Sequence, residues 1–275
     1  MKKARWKEWL ISCSAMLVGL VIIFPIIAGL LFAFRDASEF DLYPPILIPS
    51  NILNLTNFVE IITISRVPRY MLNSLWIASV VTVVRLILAA FAAYAFAFMN
   101  FKGKNFFFFY ILGTMMVPAE SVLLANYLTI NKLGLINTYL GVMVVFFVSA
   151  NNMFMLRQNF KVISTSLREA AFLDGCGDMR FFTNICVPLS LPILTSLGIS
   201  SFISVWNAYL WPLLVVNDSA KRTVQVGIKL LQSEESTNRG VLFAGVYLSL
   251  VPTALLFVFT QRSIVQGIAS GAVKG

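Results

Sequence analysis

The chain alternates long apolar runs with short polar breaks, and the runs have the length of membrane spans. A bilayer core takes roughly 20 residues of helix. Runs at about 9–34, 71–98, 106–130, 138–156, 191–216 and 240–260 meet that length. The pattern predicts an all-α, polytopic membrane protein with six transmembrane helices in a single domain over 1–275. Pro25 lies inside the first run and predicts a kink there, because proline lacks the N–H its turn requires. That run follows Lys2, Lys3, Arg5 and Lys7 in the manner of a signal peptide. It is too long for a signal's apolar region and has no small-residue cleavage site, so it is read as a span. The longest connection, 35–69, holds Pro44, Pro45 and Pro49, which favour extended backbone, and its stretch 54–62 reads as a short surface helix. The second run ends AAFAAYAFAF, a composition that lets helices approach closely.

One break differs from the rest. Residues 164–192, STSLREAAFLDGCGDMRFFTNICVPLSLP, are too polar for a bilayer and too structured for a plain linker. Ser166 is placed to cap a short helix, with Glu169 reaching back in a capping box and Gly175 supplying a left-handed stop. The expectation is a helix lying outside the membrane, fixed to spans on both sides.

Composition supports the membrane reading: 59% of the 275 residues are hydrophobic and 12% charged, against roughly half apolar in soluble domains. The net charge of +9 would suit nucleic acid if it were clustered, but it is spread along the breaks. With both termini inside, twelve Lys/Arg residues fall on the inner side and eight on the outer, and Arg85 is left within the second run. The excess of inner positive charge places residues 164–192 and both termini in the cytoplasm. Nucleic acid is not an expected partner. Cys13, Cys176 and Cys186 have no metal-ligand spacing, and the absence of histidine removes imidazole chemistry. No catalytic residue, metal or cofactor site is expected in this chain.

Polar residues at membrane depth are the candidates for a translocation path. Arg85 would cost roughly 2.5–3.5 kcal/mol at a helix centre, so it must face protein, water or a headgroup. Glu120, two residues after Pro118, lies either at the external end of a broken third span or in a loop. In the fifth run Ser200, Ser201, Ser204 and Asn207 recur at helical spacing beside Trp206, Tyr209 and Trp211. Hydroxyls and aromatic faces suit a carbohydrate; small serines also pack helices, and Trp and Tyr also mark the interface.

The spacing E-A-A-x-x-x-G, nine residues, then I-x-V-P resembles the EAA loop of permease subunits of binding-protein-dependent ABC importers, with Val187 where Leu is usual. KLGLINTY (132–139), LRQNF (156–160), VWNAYLWPLLVV (205–216) and the terminal GIASGAVKG narrow the resemblance to the carbohydrate-uptake, maltose-transporter type. That type usually reads LRQFF and SWNDFLWPL; here Asn159, Val205 and Ala208 depart from it. The resemblance implies a bacterial inner-membrane subunit that pairs with a second homologous permease, an ATPase dimer holding ATP and Mg, and an extracytoplasmic solute-binding protein. It implies a sugar or oligosaccharide as cargo, with glycerol-3-phosphate or a polyol phosphate as the alternative. It assigns ATPase coupling to Arg168, Glu169, Ala170, Ala171, Asp174, Gly175, Ile185 and Pro188, and gives the tail 267–275 a place between the ATPase subunits. No G-x-x-x-x-G-K-[ST] pattern occurs, so ATP is handled by another chain. A membrane-embedded enzyme or ion-coupled carrier would need paired carboxylates or a Ser/Lys dyad at membrane depth, where only Arg85 and Glu120 are available.

Overall fold

The computed structural model describes the backbone of residues 2–233 and 238–272, and side chains at 6, 9, 11–232 and 238–260. The fold is all-α. Its helices are α1 (Lys2–Ala33), α2 (Thr56–Thr63), α3 (Val67–Phe98), α4 (Lys104–Thr114), α5 (Leu123–Lys132), α6 (Tyr139–Met143) and α7 (Ala150–Val162). They continue as α8 (Thr165–Leu173), α9 (Asp178–Phe181), α10 (Val187–Leu189), α11 (Leu191–Trp206), α12 (Leu210–Val215), α13 (Val224–Ser233) and α14 (Arg239–Ala272).

Three stretches are continuous helices long and apolar enough to cross a membrane: Ile11–Ala33, Val67–Phe98 and Arg239–Thr260. Three further segments are bent pairs: the third run, for which a break near Glu120 was one of the two readings, the fourth run, and the end of the polar segment together with the start of the fifth run. Lys104–Thr114 meets Ala119–Lys132 at 96°, Tyr139–Phe146 meets Ala150–Val162 at 44°, and Asp178–Leu189 meets Leu191–Trp206 at 76°. Counting each pair as one span gives six. The breaks have local causes. Pro118 disfavours helix in the residue before it and opens the short turn Ala119–Val122. Ser149 restarts the fourth run by accepting from the Asn152 N–H at 3.2 Å. Pro188 has no N–H for the carbonyl four residues back, and the backbone ahead of it widens to a π-helical turn over Phe182–Cys186.

The residues group into two compact units. The first comprises Met1–Pro68 and Gly227–Val251. Its organiser is Asn57, 2% exposed, whose amide donates to the carbonyls of Ala33 (2.9 Å) and Arg35 (2.8 Å) and accepts from Asn238 (3.0 Å). A helix end leaves four carbonyls without partners, and Asn57 answers the last of them, on Ala33, together with the Arg35 carbonyl just past the end of α1. Arg35 is buried beside them, its guanidinium over the rings of Phe32 and Phe40 and donating to the Glu39 carbonyl at 2.9 Å. Its Nε lies 3.8 Å from the Glu39 carboxylate, which also accepts from the Ser50 N–H at 3.0 Å.

The second unit comprises Arg69–Val226 and Pro252–Gly275. Its core is aromatic. Phe160, Phe181 and Leu156 are fully buried with Phe182, Tyr94 and Phe96, where α3 and α7 meet the segment following α8. The 24 phenylalanines divide between surface and interior: Phe106, Phe107 and Phe109 are exposed, whereas Phe96, Phe160, Phe181 and Phe182 build this core.

Glu39 supplies a pH test. The Ser50 side-chain hydrogen bond, followed by the Ser50 N–H and the Arg35 charge, holds its carboxyl below the ordinary 4.5 against the opposing effect of burial. A depressed pKa stabilises the fold above the ordinary value, and that contribution is lost as pH falls through the lowered one. The stability gap between the native chain and Glu39→Gln is therefore expected to be full at neutral pH and to narrow below 4.5. Thermal unfolding across that window measures it, and a constant gap would contradict the assignment.

Candidate functional site

The polar segment forms a short helix with defined ends. α8 is capped by Ser164, whose hydroxyl accepts from the Leu167 N–H at 3.2 Å; Ser166 instead sits inside the helix, 3.1 Å from the Ser164 hydroxyl. The expected capping box does not form. With Ser164 as cap, Glu169 is the fifth helical residue, beyond the first turn where a reciprocal bond is made. The other end is as expected. Gly175 has φ +80°, the Cys176 N–H donates to Ala171 O (2.9 Å) and the Gly175 N–H to Phe172 O (3.1 Å). This paired bonding is a Schellman stop.

α8 is pinned to the membrane helices by charge and by aromatic packing. Arg168 lies 3.5 Å from Asp178, the same oxygen of which accepts from the Tyr94 hydroxyl at 2.8 Å. The guanidinium also stands 5.4 Å from the Phe98 ring and 5.0 Å from Phe172. Arg168 thus turns inward. Ala171 is buried beneath it, whereas Glu169, Ala170 and Asp174 are exposed and Leu173 is 88% exposed. Ile185 is half-buried within the π-helical turn and Pro188 is exposed after it. The segment therefore presents two carboxylates, Glu169 and Asp174, one small residue and apolar side chains outward from a rigid base. Ser190, fully buried at the corner into α11, donates to Asn159 at 2.6 Å and ties the segment to α7.

The path candidates separate into two groups. Ser200, Ser204 and Asn207 are exposed on one face of α11, and Asn207 accepts from Gln225 at 3.2 Å. Trp206 and Trp211 do not join them. Trp206 is 1% exposed and stacks on Phe202 at 5.9 Å. Trp211 is 5% exposed, its indole N–H shared between the carbonyls of Gly141 (3.3 Å) and Val142 (3.2 Å). Both rings are core, so neither can stack on a solute. Ser201 is buried and accepts from Asn152 at 2.9 Å, which ties α11 to α7. Glu120 is exposed in the turn at the 96° break.

Arg85, left open by the sequence, has a definite partner. Its Nε donates at 2.6 Å to the carbonyl of Phe146, at the break of the fourth run. A broken helix frees carbonyls that the bilayer cannot solvate, and the guanidinium reaches one of them.

Residues 85–269 match the model of the family described as Binding-protein-dependent transport system inner membrane component. The chain belongs to this family. It is 33% identical over 271 residues to the arabinooligosaccharides transport system permease protein AraQ of Halalkalibacterium halodurans, covering 98% of this chain and 97% of that one. It is 32% identical over 272 residues to the sn-glycerol-3-phosphate transport system permease protein UgpE of Escherichia coli, covering 95% and 97%. A solved bacterial ABC transporter involved in import of the acidic polysaccharide alginate has a chain of the same fold, with TM-score 0.83 and 21% identity over 95% of this chain and 98% of that one.

Two further motifs of the permease meet each other. The Asn137 N–H donates to Val215 O at 2.7 Å, and the Asn137 side chain accepts from the Asp218 N–H at 2.9 Å. Asn137 has φ +61°, and a Cβ on Gly141 would collide with the Leu135 carbonyl, so this fold-back needs both residues. Asn73, early in α3, donates to the carbonyls of Ala220 and Arg222 (2.9 Å each) and accepts from Tyr139 at 2.9 Å. Sequence reasoning passed over Asn73, Asn137, Tyr94 and Asp178. An asparagine early in an apolar run was the available signal for the first; the pairing of Tyr94 with Asp178 spans 84 residues and left none.

Arg85→Met keeps the aliphatic stem and removes the donor, so it should destabilise the permease by about 1–3 kcal/mol. A lowered unfolding temperature in detergent, partly recovered in Arg85→Lys, is the expected result. Gly175→Ala meets no atom within 4 Å, so its cost is conformational alone, about 1–2 kcal/mol. Unfolding measurements that show no loss for Gly175→Ala would contradict the left-handed stop.

Proposed function

We propose that this permease is one half of the translocation unit of an ATP-driven importer for a sugar or oligosaccharide, and that α8 receives the movement of an ATPase subunit. The observation that carries this reading is the outward face of α8 on an inward anchor: Glu169, Ala170 and Leu173 are exposed while Arg168 and Ala171 hold the base. A helix that is fixed below and unpartnered above can pass a displacement to the spans without melting. Such an element suits a protein cleft that closes on it. In this reading both termini and α8 are cytoplasmic and the six spans act as one membrane domain. A second homologous permease completes the path, an ATPase dimer binds ATP and Mg beneath, and an external solute-binding protein delivers cargo. The tail 267–275 would reach toward the ATPases; its side chains lie outside those described.

The cargo follows from the relatives and from the surface. AraQ is named for arabinooligosaccharides and UgpE for sn-glycerol-3-phosphate. A solved alginate transporter whose chain shares this fold, at TM-score 0.65, is in complex with an alginate pentasaccharide-bound periplasmic protein. The exposed polar face of α11, with Ser200, Ser204 and Asn207, suits hydroxyl-rich cargo. Lys221, one of the outward basic residues that would favour a phosphorylated polyol, is occupied: it donates to the Asn137 carbonyl at 2.9 Å and lies 3.8 Å from Asp218. That occupancy and the polar face of α11 favour a neutral sugar.

In proteoliposomes carrying the assembled transporter, Glu169→Lys should leave the permease in the complex and abolish coupling, so that ATP hydrolysis no longer drives uptake. Normal uptake in this variant would overturn the role of α8. Uptake by the purified chain without ATPase subunits would overturn the importer reading itself. Competition with neutral oligosaccharides and with polyol phosphates, read on the cognate solute-binding protein, distinguishes the two cargo classes.

A further inference from the structure

A basic cavity of about 570 Å³ opens where α4 begins and α7 ends, at the same end of the spans as α8. Its lining includes Asn100, Phe101, Lys104, Asn105, Arg157 and Lys161 and contains no carboxylate. Arg157 is 9% exposed, fixed by a 3.1 Å bond from Nε to Phe96 O and by the Phe108 ring 3.8 Å beneath its guanidinium. Lys104 is half-buried and donates to Met99 O at 2.6 Å, while Lys161 is exposed at the mouth. Among the described residues none of the three cations forms an ion pair. A buried guanidinium and two ammonium groups converging without a counter-charge are costly, and an anion relieves that cost. α4 adds its own positive end, since Gly103 caps it without a side chain.

The surroundings specify what kind of anion. Along α4 the side chains of Phe106 (69% exposed), Phe109 (68%) and Tyr110 (66%) face outward from the cavity's edge. An aromatic flank beside a basic pocket at the end of a span fits a ligand with an anionic head and an apolar tail. We propose that this cavity binds the headgroup of an anionic phospholipid, with Lys104, Arg157 and Lys161 around the phosphate and the acyl chains along α4. The site touches none of the path candidates on α11, so it would act on the membrane seat of α4 and α7 and not on cargo.

The test is native mass spectrometry of the full chain, purified in mild detergent and offered phosphatidylglycerol or phosphatidylcholine with matched chains. The native chain should retain phosphatidylglycerol preferentially. Lys161→Gln and Lys104→Gln should each weaken that retention about fivefold, following the usual contribution of a lysine near an anionic headgroup. Lys102→Gln, exposed on the same turn but outside the lining, should leave it unchanged. Lys161 is exposed, so its variant tests the site even where Lys104→Gln disturbs the turn. Equal retention of the two lipids, or an equal effect of Lys102→Gln, would overturn the site in favour of diffuse surface charge. Displacement of the lipid by millimolar inorganic phosphate would overturn the lipid in favour of a free anion. Loss of ATPase subunits on co-purification with lipid retention unaltered would overturn it in favour of a protein contact.

Discussion

A membrane interior offers no water, so each backbone carbonyl or N–H freed where a helix ends must find a partner inside the protein. The described structure is arranged around that constraint. Where α1 stops, the Asn57 amide answers the carbonyls of Ala33 and Arg35. Where the fourth span breaks, Arg85 reaches Phe146 and Ser149 caps the restart. Where the short α6 ends and leaves carbonyls open, the Trp211 indole is shared between those of Gly141 and Val142. Arg85 looks expensive in an apolar run when read alone, and becomes necessary once the neighbouring helix is seen to be interrupted.

The same logic explains why the polar segment can be rigid outside the membrane. A nine-residue helix is too short to be stable in isolation. α8 persists because Asp178 joins it, through Arg168, to Tyr94 of a long span, and because Phe172, Phe98 and Phe181 pack beneath it. Its apolar outward residues are then free for a partner. The π-helical turn after it has a related origin: Pro188 removes one donor, and the following corner is closed by the bond from Ser190 to Asn159.

Much of this architecture was legible in the sequence because lipid makes hydropathy nearly sufficient. The apolar runs located the spans, and Pro118 beside Glu120 located a break. The left-handed stop at Gly175 followed from its place after an apolar-polar repeat. The cap was misplaced by two residues, since Ser164, Thr165 and Ser166 are chemically equivalent candidates and only backbone geometry selects among them. The two tryptophans were assigned to a solute path on their chemistry, yet an indole's size favours burial whenever its N–H can find a carbonyl. That carbonyl lies 70 residues away for Trp211, beyond the reach of any local pattern. Arg85 was unreadable for the same reason, because its partner is a backbone atom 61 residues on.

The removal of Trp206 and Trp211 from the path changes the physical picture of coupling. α11 begins at the Ser190 corner, directly after the segment that carries α8, and bears Ser200, Ser204 and Asn207 on its exposed face. Its opposite side is held by Ser201 to Asn152 and by Trp206 in the core. A displacement of α8 in the proposed mechanism therefore reaches the polar face of α11 through the turn at 174–177, which the Arg168–Asp178 pair clamps, and through the π-helical segment and its buried corner. The bulky rings supply the stiffness for that transfer, and in the proposed mechanism the small hydroxyl and amide groups are left to meet the solute. Stiffness and recognition would then fall on different faces of one helix, so that a change on the polar face need not disturb the packing that carries the movement.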